Sequence, residues 1–481
     1  MATTNTPEAK TLEALGARRL AELLMEISSG DALVANLLQL EFAGTKGPAK
    51  ASLEIREQMA RIRRSRVFFE WDESPALARE LDILRGAIVN HVADSDASEA
   101  LGLMWGFMEL ADAVFDRCDD SGGSVGDVFL VAREDLGEIA SAAKTAPALL
   151  ADQAFAAIMN NNYAQYDGLV GILKPALGCE GLECLKQRLI ESLSTTATQP
   201  TGKVSTSVGL RSLGSVSEDE RRERYRRDVA SSALRDIADA QDDVDGYIAQ
   251  YDEETRRVPP IAAQIARRLL AAGRAGDALH ALDASSRSVS SDRRWIGFEW
   301  EDARVAALEA LGRTDAAQQV RWDCFERSLS MLHLRAYLER LAKSSAADAE
   351  EKALDHVQDF QDRLAALSFF LSWPALERAS RLVVEHAKSL DGNCYEILAP
   401  AARALASQHP LAATLTFRAM IDFTLGRGKS TRYRHAARHL SQCASLAADI
   451  GDFQGYEAHG DYEQRLRREH GRKRSFWGRI D

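Results

Sequence analysis

Gly122-Gly123-Ser124-Val125-Gly126 matches Gly-x-Ser-x-Gly, the turn that exposes a nucleophilic serine between a strand and a helix. Here an apolar helical stretch and a run of aspartates precede the serine, so no strand presents it. The segment reads as a glycine-rich loop. Asp116, Asp119, Asp120 and Asp127 around it offer oxygen ligands to a hard cation. Their spacing fits no calcium loop, and aspartates also make turns and caps, so ion binding at the Asp119-Asp120 loop stays open. His435, His439 and Cys443 follow one another at four-residue intervals. Neighbours in that set can share a metal ion. The outer two lie about 12 Å apart along a helix, so a full site needs a ligand from elsewhere. No Glu follows His435, which removes the metalloprotease pattern. Cys179 and Cys184 are a single pair and cannot complete a structural zinc site. Gly428-Lys429-Ser430-Thr431 ends like a phosphate-binding loop, but Phe423 stands where the first glycine is needed.

Recognition chemistry has more candidates. Arg427, Lys429, Arg432, Arg434 and Arg438 form one basic set; Arg465, Arg467, Arg468, Arg472, Lys473, Arg474 and Arg479 form another. Such sets take phosphates or an acidic partner, and Phe476 and Trp477 could add stacking. Trp295, Phe298, Trp300, Trp322 and Phe325 either line a peptide groove or fill the space between helices. The partner-binding candidates are therefore Trp295, Trp300, Trp322, Arg432, Arg434, Arg438, Arg467, Arg468, Arg472, Lys473 and Arg474. No catalytic, metal-ligating or cofactor-binding residue is assigned, and no cofactor is expected.

The elements that carry these residues read as helices. Leu12, Leu15, Leu20, Leu23, Leu24 and Ile27 share one helical face. Helices are expected over 51–69 and 75–93, with Ser74 as N-cap and Pro75 in the first turn. Others are expected over 97–117, 128–143, 147–161 and 165–177. No alternating run bounded by hairpin turns occurs, so no sheet is expected. Residues 195–216 are rich in Thr, Ser and Gly and read as a linker. Ser217 and Glu220 have capping-box spacing and open a charged helix reaching Tyr251.

After Pro259-Pro260 the chain repeats. Leu269 to Leu279 resembles Leu308 to Ala317, with Gly273-Arg274 and Gly312-Arg313 in register 39 residues apart. A glycine that ends one helix, a short polar turn and an alanine at a close helix crossing make a tetratricopeptide-like helix pair. Leu425-Gly426-Arg427 reads as a looser third copy. Helices continue over about 348–366, 374–388, 394–407, 410–425, 430–448 and 453–470, with Pro374 and Pro410 in first turns. The expected divisions are a helical domain over 1–194, the linker 195–216, a charged helix with repeats over 217–345, and a helical-repeat region with a basic tail over 346–481.

Pro374 to Leu390, Ile397 to Ala402, His409 to Thr414, Arg418 to Phe423 and Tyr433 to Leu440 together resemble an uncharacterised bacterial family of helical-repeat proteins. Leu12 to Leu24 and the Asp119-Asp120 loop fit the same resemblance, which spans most of the chain. It is also similar to the helical C-terminal parts of some SWIM zinc-finger proteins. The SWIM motif, Cys-x-Cys followed by Cys-x-His, is absent. The resemblance implies a helical fold and a bacterial origin, and no activity.

Composition bounds the rest. The chain of 481 residues has 60 Lys and Arg against 72 Asp and Glu, and only 11 prolines. Few prolines favour long helices. Residues 401–481 hold 14 basic and 8 acidic side chains, leaving +6 there and −18 on the remainder. No apolar run is long enough to span a membrane. The N-terminus has no signal-like pattern, and six scattered cysteines suggest a reducing, cytoplasmic setting. The expectation is an all-α array of antiparallel helix pairs, an α-α superhelix or tetratricopeptide-like solenoid. Its expected role is non-catalytic binding of a protein or peptide. The alternative is a nucleic-acid-associated accessory protein using the basic C-terminal region.

Overall fold

Most prolines open helices; Pro175 and Pro400 lie inside them, and the helix holding Pro175 kinks at Gly178. Pro48, Pro75, Pro147, Pro259, Pro260 and Pro410 all occupy first-turn positions, where the missing N–H has no intrahelical partner to lose. The structure, a computed structural model, describes residues 12–197, 218–286 and 298–480. Helices dominate and no strand occurs among the described residues; one isolated bridge joins Phe69 to Cys118. The linker expected over 195–216 lies almost wholly outside the described residues, as do Ser217 and Trp295. No described helix is long and apolar enough to cross a membrane.

The contacts divide the chain into two units, Met1–Asp252 and Glu253–Asp481. The first contains Ala17–Gly30 (α1), Ala32–Thr45 (α2), Pro48–Arg64 (α3), Ser74–Ile88 (α4), Ala97–Met108 (α5), Leu110–Phe115 (α6), Ser124–Ala143 (α7), Pro147–Met159 (α8), Leu169–Ala197 (α9), Glu218–Ala240 (α10) and Val244–Ala249 (α11). Helices α4, α5, α7, α8 and α9 enclose one apolar core around Leu81, Phe107, Phe129 and Leu173. Close approach of α7 to α9 needs Gly137, where an added methyl would lie 2.4 Å from Ile172 Cγ2.

Local chemistry corrects several sequence expectations here. The helix expected over 97–117 breaks at Glu109. Ser74 is the first helical residue, not the N-cap, and its hydroxyl donates to Asp119 O at 2.6 Å. The charged helix expected to reach Tyr251 ends at Ala240, where Asp242 takes a left-handed conformation and Asp243 caps α11.

The second unit contains Glu253–Arg256 (α12), Pro259–Ala271 (α13), Ala275–Ser286 (α14), Phe298–Ala310 (α15), Thr314–Ser328 (α16), Met331–Leu338 (α17), Lys343–Asp359 (α18), Arg363–Ser372 (α19), Leu376–His386 (α20), Tyr395–Leu405 (α21), Pro410–Gly426 (α22), Tyr433–Leu446 (α23), His459–His470 (α24) and Arg474–Trp477 (α25). Pro374 precedes α20 instead of lying in its first turn.

The two matched glycines do the same work. Gly273 (φ 73°) and Gly312 (φ 70°) sit left-handed after α13 and α15. Each is followed by a 6→1 bond, Arg274 N to Leu269 O and Arg313 N to Leu308 O, at 2.7 and 2.8 Å. Ala278 and Ala317, five residues after each glycine, are fully buried. In the looser copy the left-handed residue is Gly428, not Gly426, and Lys429 N closes the bond to Thr424 O.

The core of the second unit runs from Trp322 to Trp477. Helix α22 is its axis, with most side chains from Leu411 to Leu425 buried and Ala419, Asp422 and Phe423 half-buried on one face, and it packs against α20, α21 and α23. The end of the described chain docks on this core: Phe476 and Trp477 are buried beside α23.

Candidate anion-binding pocket

Three helix faces converge on one cavity. Tyr395, Ala399 and Arg403 recur at four-residue steps on α21. Phe417, Met420 and Thr424 share a face of α22. His435, His439 and Gln442 share a face of α23, and Arg432 lies in the turn just before it. Steps of three and four place side chains on one side of a helix, so each helix contributes one stripe. The stripes enclose about 450 Å³. The apolar part is built from Phe417, Met420 and Tyr395, the polar part from Arg403, Arg432, Arg438, His435 and His439. Of the described residues lining it, none is Asp or Glu.

The guanidinium groups are held without being neutralised. Arg432 Nη1 donates to Asn393 Oδ1 at 3.0 Å, and the group lies 4.7 Å from the centre of the Tyr395 ring. Arg403 Nε donates to Ala399 O at 3.2 Å, and Arg438 Nη2 lies 3.4 Å from His435 Nδ1. Among the described residues none of the three pairs with a carboxylate. His439 packs its ring 5.0 Å from that of Phe417, and its Nδ1 is buried without a partner. Burial, then Arg438, His435 and Arg403, pushes its pKa down to about 4. It is therefore neutral near pH 7 and offers hydrogen bonding, while the arginines supply charge. Gln442 Oε1 is a second buried, unpaired atom on a lining residue.

The other side of α22 shows the contrast. Asp422 accepts from Tyr462 Oη at 3.0 Å and from Arg465 Nη2 at 3.3 Å. Arg465 also reaches Glu457 and Glu469. Arg418 donates to Glu457 O at 2.7 Å and lies 4.3 Å from the centre of the Tyr462 ring. Burial raises the Asp422 pKa, with Arg465 opposing it. Here Arg465 and its carboxylates satisfy one another, while Arg418 Nε and Nη2 are buried without a hydrogen-bond partner among the described residues.

The sequence candidates separate on this map. Arg432 and Arg438 line the cavity, whereas Arg434 is exposed and does not line it. Arg467 pairs with Glu463 at 2.9 Å and covers the Trp477 ring; Arg468, Arg472 and Arg474 are exposed. Lys473 Nζ lies 5.9 Å from the centre of the Tyr433 ring. Trp300 and Trp322 are buried between helices, bonded to Ser285 and Glu326. Trp295 is outside the described residues. Arg403, Tyr395, Phe417 and Met420 escaped the sequence reading, although the two four-residue steps from Tyr395 through Ala399 to Arg403 were visible.

The remaining sequence motifs resolve into local structure. Gly123 is left-handed (φ 75°) and Ser124 opens α7. Asp120 caps that helix, accepting from Val125 N at 3.0 Å and Gly126 N at 2.8 Å, with no strand before the serine. Asp119 accepts from Ser121 N and Oγ, which lowers its pKa, and Asp116 accepts from Tyr163 Oη. These carboxylates are used by caps and turns. Cys443 is fully buried with Sγ 3.8 Å from Thr414 O. Gly428 to Thr431 is the turn between α22 and α23.

No curated protein and no solved structure matches the chain. A family model described as a family of unknown function (DUF6880) matches residues 2–479, and the chain belongs to that family.

Proposed function

We propose that this member of the family is a non-catalytic helical scaffold that binds a protein or peptide. Its cavity between α21, α22 and α23 receives an acidic group next to an apolar side chain. The observation that carries the reading is three guanidinium groups without carboxylate partners around an apolar-walled cavity. Unneutralised arginines attract carboxylates and grip them through charge-assisted, often paired hydrogen bonds. Phe417, Met420 and Tyr395 offer the surface that an attached leucine or phenylalanine would cover. Tetratricopeptide-like stacking of the helix pairs, a bacterial origin, kinship with the helical parts of SWIM proteins and a cytoplasmic setting belong to the same proposal.

The nucleic-acid reading has weaker support. Arg465 and Arg467 are engaged by carboxylates, and Phe476 and Trp477 are buried where bases would need them exposed. The test is fluorescence anisotropy with labelled octapeptides containing Glu-Leu or Asp-Phe, their Gln-Leu and Asn-Phe analogues, and short DNA and RNA oligonucleotides. The acidic peptides bind, the amide analogues bind at least about tenfold more weakly, and added salt weakens the acidic set. Equal binding of acid and amide peptides refutes the pocket reading; salt-sensitive binding of the oligonucleotides alone transfers the role to the basic surface.

A further inference from the structure

Away from that cavity, α15, α16 and the start of α17 bring three ligating side chains together. Glu301, Cys324 and His333 are all buried, and one ligand atom from each lies within 4.8 Å of the others. A carboxylate, a thiol and an imidazole are the donors that bind zinc.

The surroundings orient them as second-layer groups orient metal ligands. Ser330 Oγ lies 2.8 Å from His333 Nδ1. A proton on Nδ1 shared with that hydroxyl leaves the Nε2 lone pair free. Nε2 is buried with no hydrogen-bond partner in a side chain that is 93 % buried. Arg327 pairs with Glu301 Oε1, and the Cys324 thiol donates to the other oxygen, Oε2, at 2.7 Å. Asp302 Oδ1 lies 3.3 Å from His333 Nε2, on a side chain 63 % exposed.

An ordinary buried ion pair explains Arg327 and Glu301, and a thiol hydrogen bond explains Cys324. Neither gives the buried His333 Nε2 a hydrogen bond; the carboxylate beside it, Asp302 Oδ1 at 3.3 Å, makes none with it, and burial makes such a nitrogen costly.

We propose that Glu301, Cys324 and His333 hold a zinc ion that ties α15, α16 and α17 together, with water in the fourth position. As Zn²⁺ enters, the Cys324 S–H bond breaks, the Zn–S bond forms and the proton leaves to solvent. The Cys324 thiolate and the Glu301 carboxylate together balance the two charges of Zn²⁺. Zinc bonds of about 2.0–2.3 Å in a tetrahedron set ligand atoms roughly 3.5 Å apart. The Cys324–Glu301 contact therefore opens by somewhat less than about 1 Å, and the widest separation closes by a little more.

The test titrates the full chain, stripped with EDTA, with Co²⁺ and then Zn²⁺. The expected result is one equivalent of Co²⁺ giving visible absorption and a near-ultraviolet thiolate charge-transfer band, both displaced by Zn²⁺. Cys324→Ser loses the charge-transfer band, while Cys179→Ser, at an exposed position, keeps it. Zn²⁺ raises the melting temperature of the unmodified chain and leaves that of Cys324→Ser unchanged. No saturable one-equivalent band in the unmodified chain overturns the proposal, whatever the variants do. A band that survives in folded Cys324→Ser or His333→Ala overturns it too.

Discussion

Gly392 lies in the turn before α21, against the backbone of α22. A methyl group there would sit 2.0 Å from Ala419 O, 2.6 Å from Ala419 C and 2.7 Å from Phe423 Cβ. None of these atoms belongs to the far end of a flexible side chain, so nothing can rotate away. The turn must move by about 1 Å or the helix must yield, and overpacking of this kind typically costs about 1–3 kcal/mol. With backbone as the obstacle, Gly392→Ala belongs at the upper end, about 2–3 kcal/mol. For a unit of this size that lowers its melting temperature by roughly 5–10 °C. The neighbouring Asn393 anchors Arg432, so binding of acidic peptides weakens in the same variant. Gly276→Ala is the control: it sits in α14 with nothing within 4 Å of an added methyl. It should be neutral or stabilising by up to about 1 kcal/mol. Scanning calorimetry of the full chain, where the two units can melt separately, reads both variants. If Gly392→Ala melts within about 0.5 kcal/mol of the unmodified protein, the seat of this turn on α22 is wrong.

Three further outcomes follow from the same unit. Replacing Arg432 and Arg438 together by alanine should weaken acidic-peptide binding by about 1.5–3 kcal/mol, as expected for hydrogen bonds to charged groups, and flatten its salt dependence; unchanged anisotropy curves would count against the pocket. His439 titrates near 4 in the folded state and near 6.5 unfolded. Below pH 6.5 the unfolded chain takes up the proton first, so stability falls as pH drops toward 4 and then levels off. One such group contributes on the order of 3 kcal/mol, and His439→Gln should remove that share of the slope from urea midpoints measured between pH 7 and 4, leaving the part due to His333, His459 and His470, which burial also shifts down. Trp477 is buried, donates to His470 O at 3.1 Å and stacks edge-on with Phe476. Trp477→Ala should cost about 3–5 kcal/mol and open the 459–480 segment to limited proteolysis; a resistant segment would show that the dock is not anchored there.

Helix starts and the paired caps were legible because single residues dictate them. Pro259 and Pro410 suit first turns, and Gly273 and Gly312 supply the left-handed link that lets α13 and α15 end alike. Where two candidates competed, sequence could not choose: Gly426 and Gly428 both suit a cap, and the second takes the left-handed conformation. Ser74 looked like a cap because its type suits one, but Asp119 O claimed its hydroxyl. The aromatic residues Trp300 and Trp322 have the same composition whether they form a groove or a core, and burial decided for the core. The cavity was half legible. Arg432 and Arg438 stood out by charge, whereas Arg403 and Phe417 enter through tertiary packing that no local spacing encodes. Glu301, Cys324 and His333 lie 23 and 9 residues apart, intervals that match no ligand pattern, so only the fold unites them.

Helix α22 separates two chemically unlike neighbourhoods, with Phe417 and Met420 turned to one and Arg418 and Asp422 to the other. A helix on a protein surface can absorb a larger or smaller side chain by shifting toward water. This one is enclosed except along the half-buried Ala419, Asp422 and Phe423 face, so volume added at its buried positions is felt on the opposite flank. Natural variation should therefore move in matched sets across it: an exchange at position 417 or 420 would be accompanied by one at 418 or 422. Selection for a different guest in the cavity would have to rebuild the ion network behind it in the same steps.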